Sequence, residues 1–182
     1  MLTANKFDDT LKGMAQHMPL YCVIAMSSKY LDGLIEKHKK IFPWHHNDTL
    51  YSYSYEARKE SERKTYSYRM HVMFKDQFTH IAKNNNSLIC TWDTKNDIER
   101  DRKPCLILIK IFKEKNVLHC SVVFRNRDVL RRMIGNWAAI REKMKWFNEK
   151  YYRGRYKLGN IYDFSMQAFY RQDDYKKWIG RK

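Results

Sequence analysis

Along this 182-residue chain the spacing of apolar positions changes several times, and each change predicts an element. In residues 66–83, Met70, Phe74, Phe78 and Ile81 recur at three- and four-residue intervals, which sets them on one face of a helix. Asn84-Asn85-Asn86-Ser87 ends it, because such side chains bond their own backbone and tolerate left-handed geometry. A short strand over 88–92 follows, then a charged loop over 93–103. Residues 105–112 read as a strand that begins buried on both faces, and Glu114-Lys115-Asn116 turns it into a second strand over 117–124. Asp128 can cap a helix running to about residue 151, with Val129, Met133, Trp137, Ile140, Met144 and Phe147 inward.

Elsewhere the pattern is weaker. Residues 1–42 hold two apolar clusters, 18–24 and 30–35, and read as a helical or mixed section. Phe42-Pro43-Trp44-His45-His46-Asn47-Asp48 is the best break signal, and it predicts loop histidines without a metal-ligand partner set. Tyr51, Tyr53 and Tyr55 alternate with Ser52 and Ser54, the period of a half-buried strand or extended loop over 50–58. A last strand is predicted over 159–170 and a short helix over 173–179. Strands and helices together imply an α/β (α+β) fold, with a mixed, largely antiparallel sheet and the long helix packed on it.

Composition narrows the class. Hydrophobic residues make up 43% of the chain with only six Gly and three Pro, so it is globular, and its length suits one domain, 1–182. No apolar stretch approaches the roughly 20 residues that span a bilayer. The start, MLTANKFDDTLKGMAQ, has acids where a signal peptide would be basic, so the expected location is the cytoplasm. Cys22, Cys90, Cys105 and Cys120 are spread out and form no CxxC pair; each reads as buried filler or as a reactive thiol. The formal charge is +16, and residues 102–182 carry 21 basic and 7 acidic side chains, +14 of it. That half calls for an anionic partner: nucleotide phosphate, DNA or RNA.

The candidate chemistry lies in the same half. Pro104-Cys105 heads a strand, Phe124-Arg125-Asn126-Arg127-Asp128 follows the hairpin, Gly135-Asn136 comes next, and Gly159 leads to Phe169-Tyr170. With Tyr53-Ser-Tyr-Glu-Ala-Arg58 and Thr91-Trp92-Asp93 upstream, residues 50–175 resemble the pyrimidine C5-transferase superfamily of thymidylate synthase and deoxycytidylate hydroxymethylase, behind a divergent section over 1–49. The resemblance implies a thymidylate synthase-like sheet that pairs back-to-back in a homodimer. It implies a pyrimidine nucleoside monophosphate as substrate and 5,10-methylenetetrahydrofolate as donor, with no metal. Cys105 would then add as a thiolate to C6 of the base, which activates C5, and a nearby guanidinium such as Arg125 would help lower the thiol pKa. Arg125 would also grip the 5′-phosphate, Asp128 would relay protons, Asn136 would read the N3–H and O4 edge of uracil, and Tyr170 would reach the ribose. Tyr53 and Arg127 complete the substrate set.

The chain also departs from the family pattern. Asn85-Asn86 stand where it has paired phosphate arginines, Ala168 where it has a histidine, and Glu56 where it has a glycine. The segments that wall and close over folate are missing, and Arg127, Arg131, Arg132, Arg153 and Arg155 are the candidate replacements for the lost phosphate contacts. Two readings result: a compact transferase, of a kind that suits a virus or phage modifying its pyrimidines, or a diverged relative that binds DNA or RNA through its basic half and its many Tyr and Trp.

Overall fold

The computed structural model describes residues 2–3, 11, 22–26, 28–61, 65–73, 76–85, 87–98 and 103–180. In chain order the strands and helices are β1 (Leu2–Thr3), β2 (Cys22–Met26), α1 (Ser28–Ile41), α2 (Pro43–Tyr53), α3 (Tyr66–Tyr68), α4 (Gln77–Lys83), β3 (Ile89–Cys90), α5 (Thr94–Asp97), β4 (Leu106–Glu114), β5 (Val117–Phe124), β6 (Arg127–Asp128), α6 (Ile134–Tyr152), β7 (Lys157–Ser165), β8 (Ala168–Phe169) and α7 (Gln172–Trp178). The main sheet has the order β1-β2-β7-β5-β4-β3, four longer strands flanked by two-residue edges. It is mixed: β1 with β2 and β5 with β7 are parallel, whereas β2–β7, β3–β4 and β4–β5 are antiparallel. The mixed α/β class expected from the sequence is what forms.

Alternation along the strands explains why one face is covered. Leu118, Cys120, Val122 and Phe124 of β5 are buried together with Ile109 and Ile111 of β4 and Ile161 of β7, the period-2 pattern of a sheet packed on one side. Against that face lies α6, whose Trp137, Ile140, Met144 and Phe147 are buried at helical spacing. The turn between β4 and β5 holds Lys115 at φ +54°. Gly159 sits where β5 and β7 shift register between Leu118 and Cys120; a Cβ there would lie 2.5 Å from Val117 Cγ1 and 2.7 Å from the His119 ring, so only glycine fits. No helix among the described residues is long and apolar enough to cross a membrane.

Four expectations change. Residues 43–53 are helical, not a loop leading into a strand: Pro43 occupies the first turn, where its missing N–H costs nothing, and the inward face is His46, Thr49 and Tyr53. A helix face built of polar side chains leaves no apolar period to read. His45 and His46 therefore lie on α2, and among the described residues no group of three or more metal-ligating side chains forms. The helix predicted over 66–83 is two pieces, because Asp76 accepts from Phe78 N and caps a new helix; Met70, Phe78 and Ile81 are buried as expected, and Phe74 lies outside the described residues. The strand predicted over 159–170 breaks after Ser165, and β8 leaves the main sheet to pair with β6. The loop over 93–103 contains α5, capped by Asp93.

Candidate functional site

Cys105 stands immediately before β4 and is fixed from three sides. The Tyr66 hydroxyl accepts from Cys105 N at 3.1 Å and from Leu106 N at 3.2 Å. Arg125 N donates to Cys105 O at 2.7 Å, which ties the head of β4 to the end of β5. After Arg125 the chain turns into β6, whose pairing of Arg127 with Ala168 and Asp128 with Phe169 holds the turn beside β8. Asp128 then caps the next helical turn, its Oδ1 accepting from Arg131 N at 3.0 Å, as expected of it.

These segments enclose a cavity of about 280 Å³ lined by Cys105, Asn126, Arg127, Asp128 and Asn136 from the predicted run, and by Asp48, Thr49, Ser52, Tyr66, Arg132 and Phe169. Gly135 lets α2 come close enough to close it: its Cβ position lies 3.3 Å from Thr49 Cβ and 3.5 Å from His38 Cε1. Tyr53, behind the wall, is buried and donates from its hydroxyl to Asn136 Oδ1 at 3.1 Å. Its ring lies against Tyr66 with centroids 4.8 Å apart, so one aromatic pair positions both Asn136 and the backbone of Cys105.

Arg127 is a buried charge held from two sides. It is 1% exposed, its guanidinium lies 3.2 Å from the centroid of the Phe124 ring, and Nη2 donates to Asp163 Oδ2 at 2.7 Å. Asp163 also accepts from Trp137 Nε1 at 2.6 Å and from Ser165 Oγ at 2.9 Å. Yet Nε and Nη1 of Arg127 have no protein partner, nor do Arg125 Nε and Asn126 Oδ1; of six such buried side-chain atoms among the described residues, four belong to residues 125–127. A buried polar atom left unpaired costs on the order of 1–3 kcal/mol, so a concentration of them around one cavity marks a place built for a polar ligand.

Charge in the cavity is balanced against burial. Burial pushes the Cys105 thiol up, against the downward pull of Arg125, Arg127 and Arg132. The expected lowering by guanidinium is present but outweighed by burial. Burial likewise raises the Asp128 carboxyl and the Tyr53 hydroxyl.

Not every candidate reaches the cavity. Tyr170 donates from its hydroxyl to Leu11 O at 3.1 Å and packs on Tyr175, while its neighbour Phe169 takes the place on the wall. Arg125 is half-buried and is not among the residues that line the cavity. Arg131 forms a bidentate pair with buried Asp174, at 2.6 and 3.1 Å. Arg132 reaches the cavity but pairs with Asp48 at 2.7 Å. Tyr66 and Asp48 carry no local signal of a site in the sequence; Phe169 stands beside the expected tyrosine, and strand alternation is the signal that distinguishes the two.

The chain matches no protein-family model and no curated protein.

Proposed function

We propose that this protein is a pyrimidine nucleotide C5 one-carbon transferase, of thymidylate synthase or hydroxymethylase type, acting through Cys105. The observation that carries the reading is that Cys105, Asp128 and Asn136 share one cavity with Arg127, whose Nε and Nη1 have no protein partner. A nucleophile, a buried carboxyl able to hold a proton, an amide and a buried cation are the groups that conjugate addition to a pyrimidine ring requires. With Oδ1 engaged by Tyr53, the Asn136 amide has its NH₂ end free to donate. That supports a uracil-type base, whose O4 accepts, over cytosine, whose exocyclic nitrogen donates.

Substrate binding has two jobs here. The ring carbonyl or phosphate approaches Arg127, and the bound electrophile sits where the Cys105 sulfur can attack C6 as its proton leaves. Asp128, whose carboxyl burial pushes up from the ordinary carboxylate range, is the group of this site suited to returning a proton. Methylenetetrahydrofolate finds less support: about 280 Å³ lies at the small end of ligand sites, and a nucleotide fills it without room for a pterin as well. A homodimer is supported by the other face of the sheet, where Phe112, His119 and Tyr162 stack half-exposed with centroids 5.5–6.3 Å apart.

The polynucleotide reading keeps one specific support. Trp44 is 65% exposed and carries Arg132, a cavity residue, over its ring at 5.6 Å, an aromatic and cationic step at the cavity for a flanking base. Folate-independent exchange of the C5 hydrogen of deoxyuridylate in D₂O, followed by proton NMR, tests the main reading. Wild-type protein should accelerate exchange and Cys105→Ser should abolish it. Absence of exchange with tight, salt-sensitive binding of single-stranded DNA supports the binding protein instead.

A further inference from the structure

A second cavity, of about 290 Å³, lies between the end of α2 and the middle of α6, walled by Leu50, Tyr53, Tyr55, Ala139 and Trp146. Lys143 lines it while only 7% exposed. A lysine buried to that degree is rare unless it is paired with an acid, and among the described residues no carboxylate lies within ion-pair distance of Nζ. Instead the ammonium lies 4.9 Å from the Trp146 ring centroid and 5.7 Å from that of Phe78. Its hydrogen-bond partner is His71, with Nζ donating to Nε2 at 3.3 Å.

The other ring nitrogen of His71, Nδ1, faces Asp76 Oδ1 at 3.6 Å. Burial and the adjacent Lys143 cation hold His71 down to about 4, so the imidazole is neutral. A neutral imidazole that accepts at Nε2 carries its proton on Nδ1, toward Asp76. Asp76, His71 and Lys143 therefore form a chain in which the carboxylate orients the imidazole and the imidazole can take a proton from the amine. Burial brings the Lys143 ammonium down to about 8, against Asp76 and Glu56, which favour the cation; Lys150 acts with burial.

We propose that Lys143 is a nucleophilic amine that captures a neutral aromatic aldehyde in this second cavity as an imine. The amine lone pair forms a bond to the carbonyl carbon, and the carbonyl oxygen takes up the first of the two protons that the nitrogen gives up. His71 Nε2 accepts the second and returns it to the hydroxyl, which departs as water; amine and aldehyde give imine and water, with no change of oxidation state. An aromatic ligand suits the walls, where the Tyr55 and Trp146 rings lie within 26° of parallel. A neutral one suits the field, since Glu142 lines the same cavity and Glu56 acts on the same amine. This site is independent of the Cys105 chemistry, although Tyr53 borders both.

The test is reductive trapping. Intact protein is treated with benzaldehyde and sodium cyanoborohydride from pH 6 to 10, and labelled lysines are mapped by mass spectrometry. Lys143 should label with a midpoint near pH 8, and at pH 8 its neutral fraction exceeds that of an ordinary exposed lysine on the order of 100-fold. Its labelling should accordingly outrun theirs at least tenfold. Asp76→Asn, which keeps the helix cap, should move the midpoint lower, a change that a merely structural role would not produce. Labelling of Lys143 no faster than of exposed lysines, or a midpoint near 10, overturns the proposal. Equal preference for Lys143 with acetaldehyde, measured against exposed lysines, overturns the assignment to an aromatic ligand.

Discussion

At the scale of single residues, Arg127 shows how a buried charge can serve structure and ligand together. Its Nη2 closes on Asp163, while Nε and Nη1 stay buried without a protein partner in a residue that lines the cavity. Replacing the pair by apolar groups could be neutral, but removing one member strands the other, at about 3–5 kcal/mol. Arg127→Met should therefore destabilise the fold by that amount in urea denaturation, because Asp163 keeps only Trp137 and Ser165 as donors. Arg127→Met combined with Asp163→Asn should recover a large part of the loss. If the single variant is as stable as wild type, the Arg127–Asp163 contact is not the anchor described above.

At the scale of elements, local pattern was legible where burial is apolar and illegible where it is polar. The strands 106–114 and 117–124 and the helix through Trp137 and Phe147 follow directly from spacing, because those positions bury hydrocarbon. Helix α2 was hidden, since its inner face is His46, Thr49 and Tyr53 and its burial rests on hydrogen bonds and ring contacts to distant segments. The same division holds for the site. Cys105, Asp128 and Asn136, which the family resemblance named, line one cavity, whereas Tyr66 and Asp48 join it through tertiary packing that no local pattern announces. Gly159 belongs to this scale as well. Gly159→Ala must push β5 and β7 apart at their register shift, where the new carbon meets Val117 and His119. A loss of about 1–3 kcal/mol is expected from overpacking, read as a lower thermal midpoint with unchanged secondary structure by circular dichroism.

At the scale of the whole molecule, the basic half is less isolated than its sequence suggests. Arg132 and Arg141 pair with Asp48 and Asp32, carboxylates from the near-neutral first quarter of the chain. Acid should loosen the assembly through two buried histidines. His38 and His71 are each held down to about 4, mainly by burial, whereas an unfolded histidine protonates near 6.5. Between those values the unfolded chain binds more protons, so stability is complete above about pH 6.5 and declines as pH falls toward 4, by roughly 3 kcal/mol per histidine at most. Thermal midpoints measured from pH 7 to 4 should fall through that window, and less steeply in His38→Gln. The sheet order has a consequence for synthesis. Strand β2 takes its antiparallel partner from β7, with Cys22 opposite Ser165, so everything from β2 to β7 must leave the ribosome before that pairing can close. Until then the nascent segment around Cys22–Met26 has only the two-residue β1 beside it, an unpaired edge that a holdase chaperone would recognise.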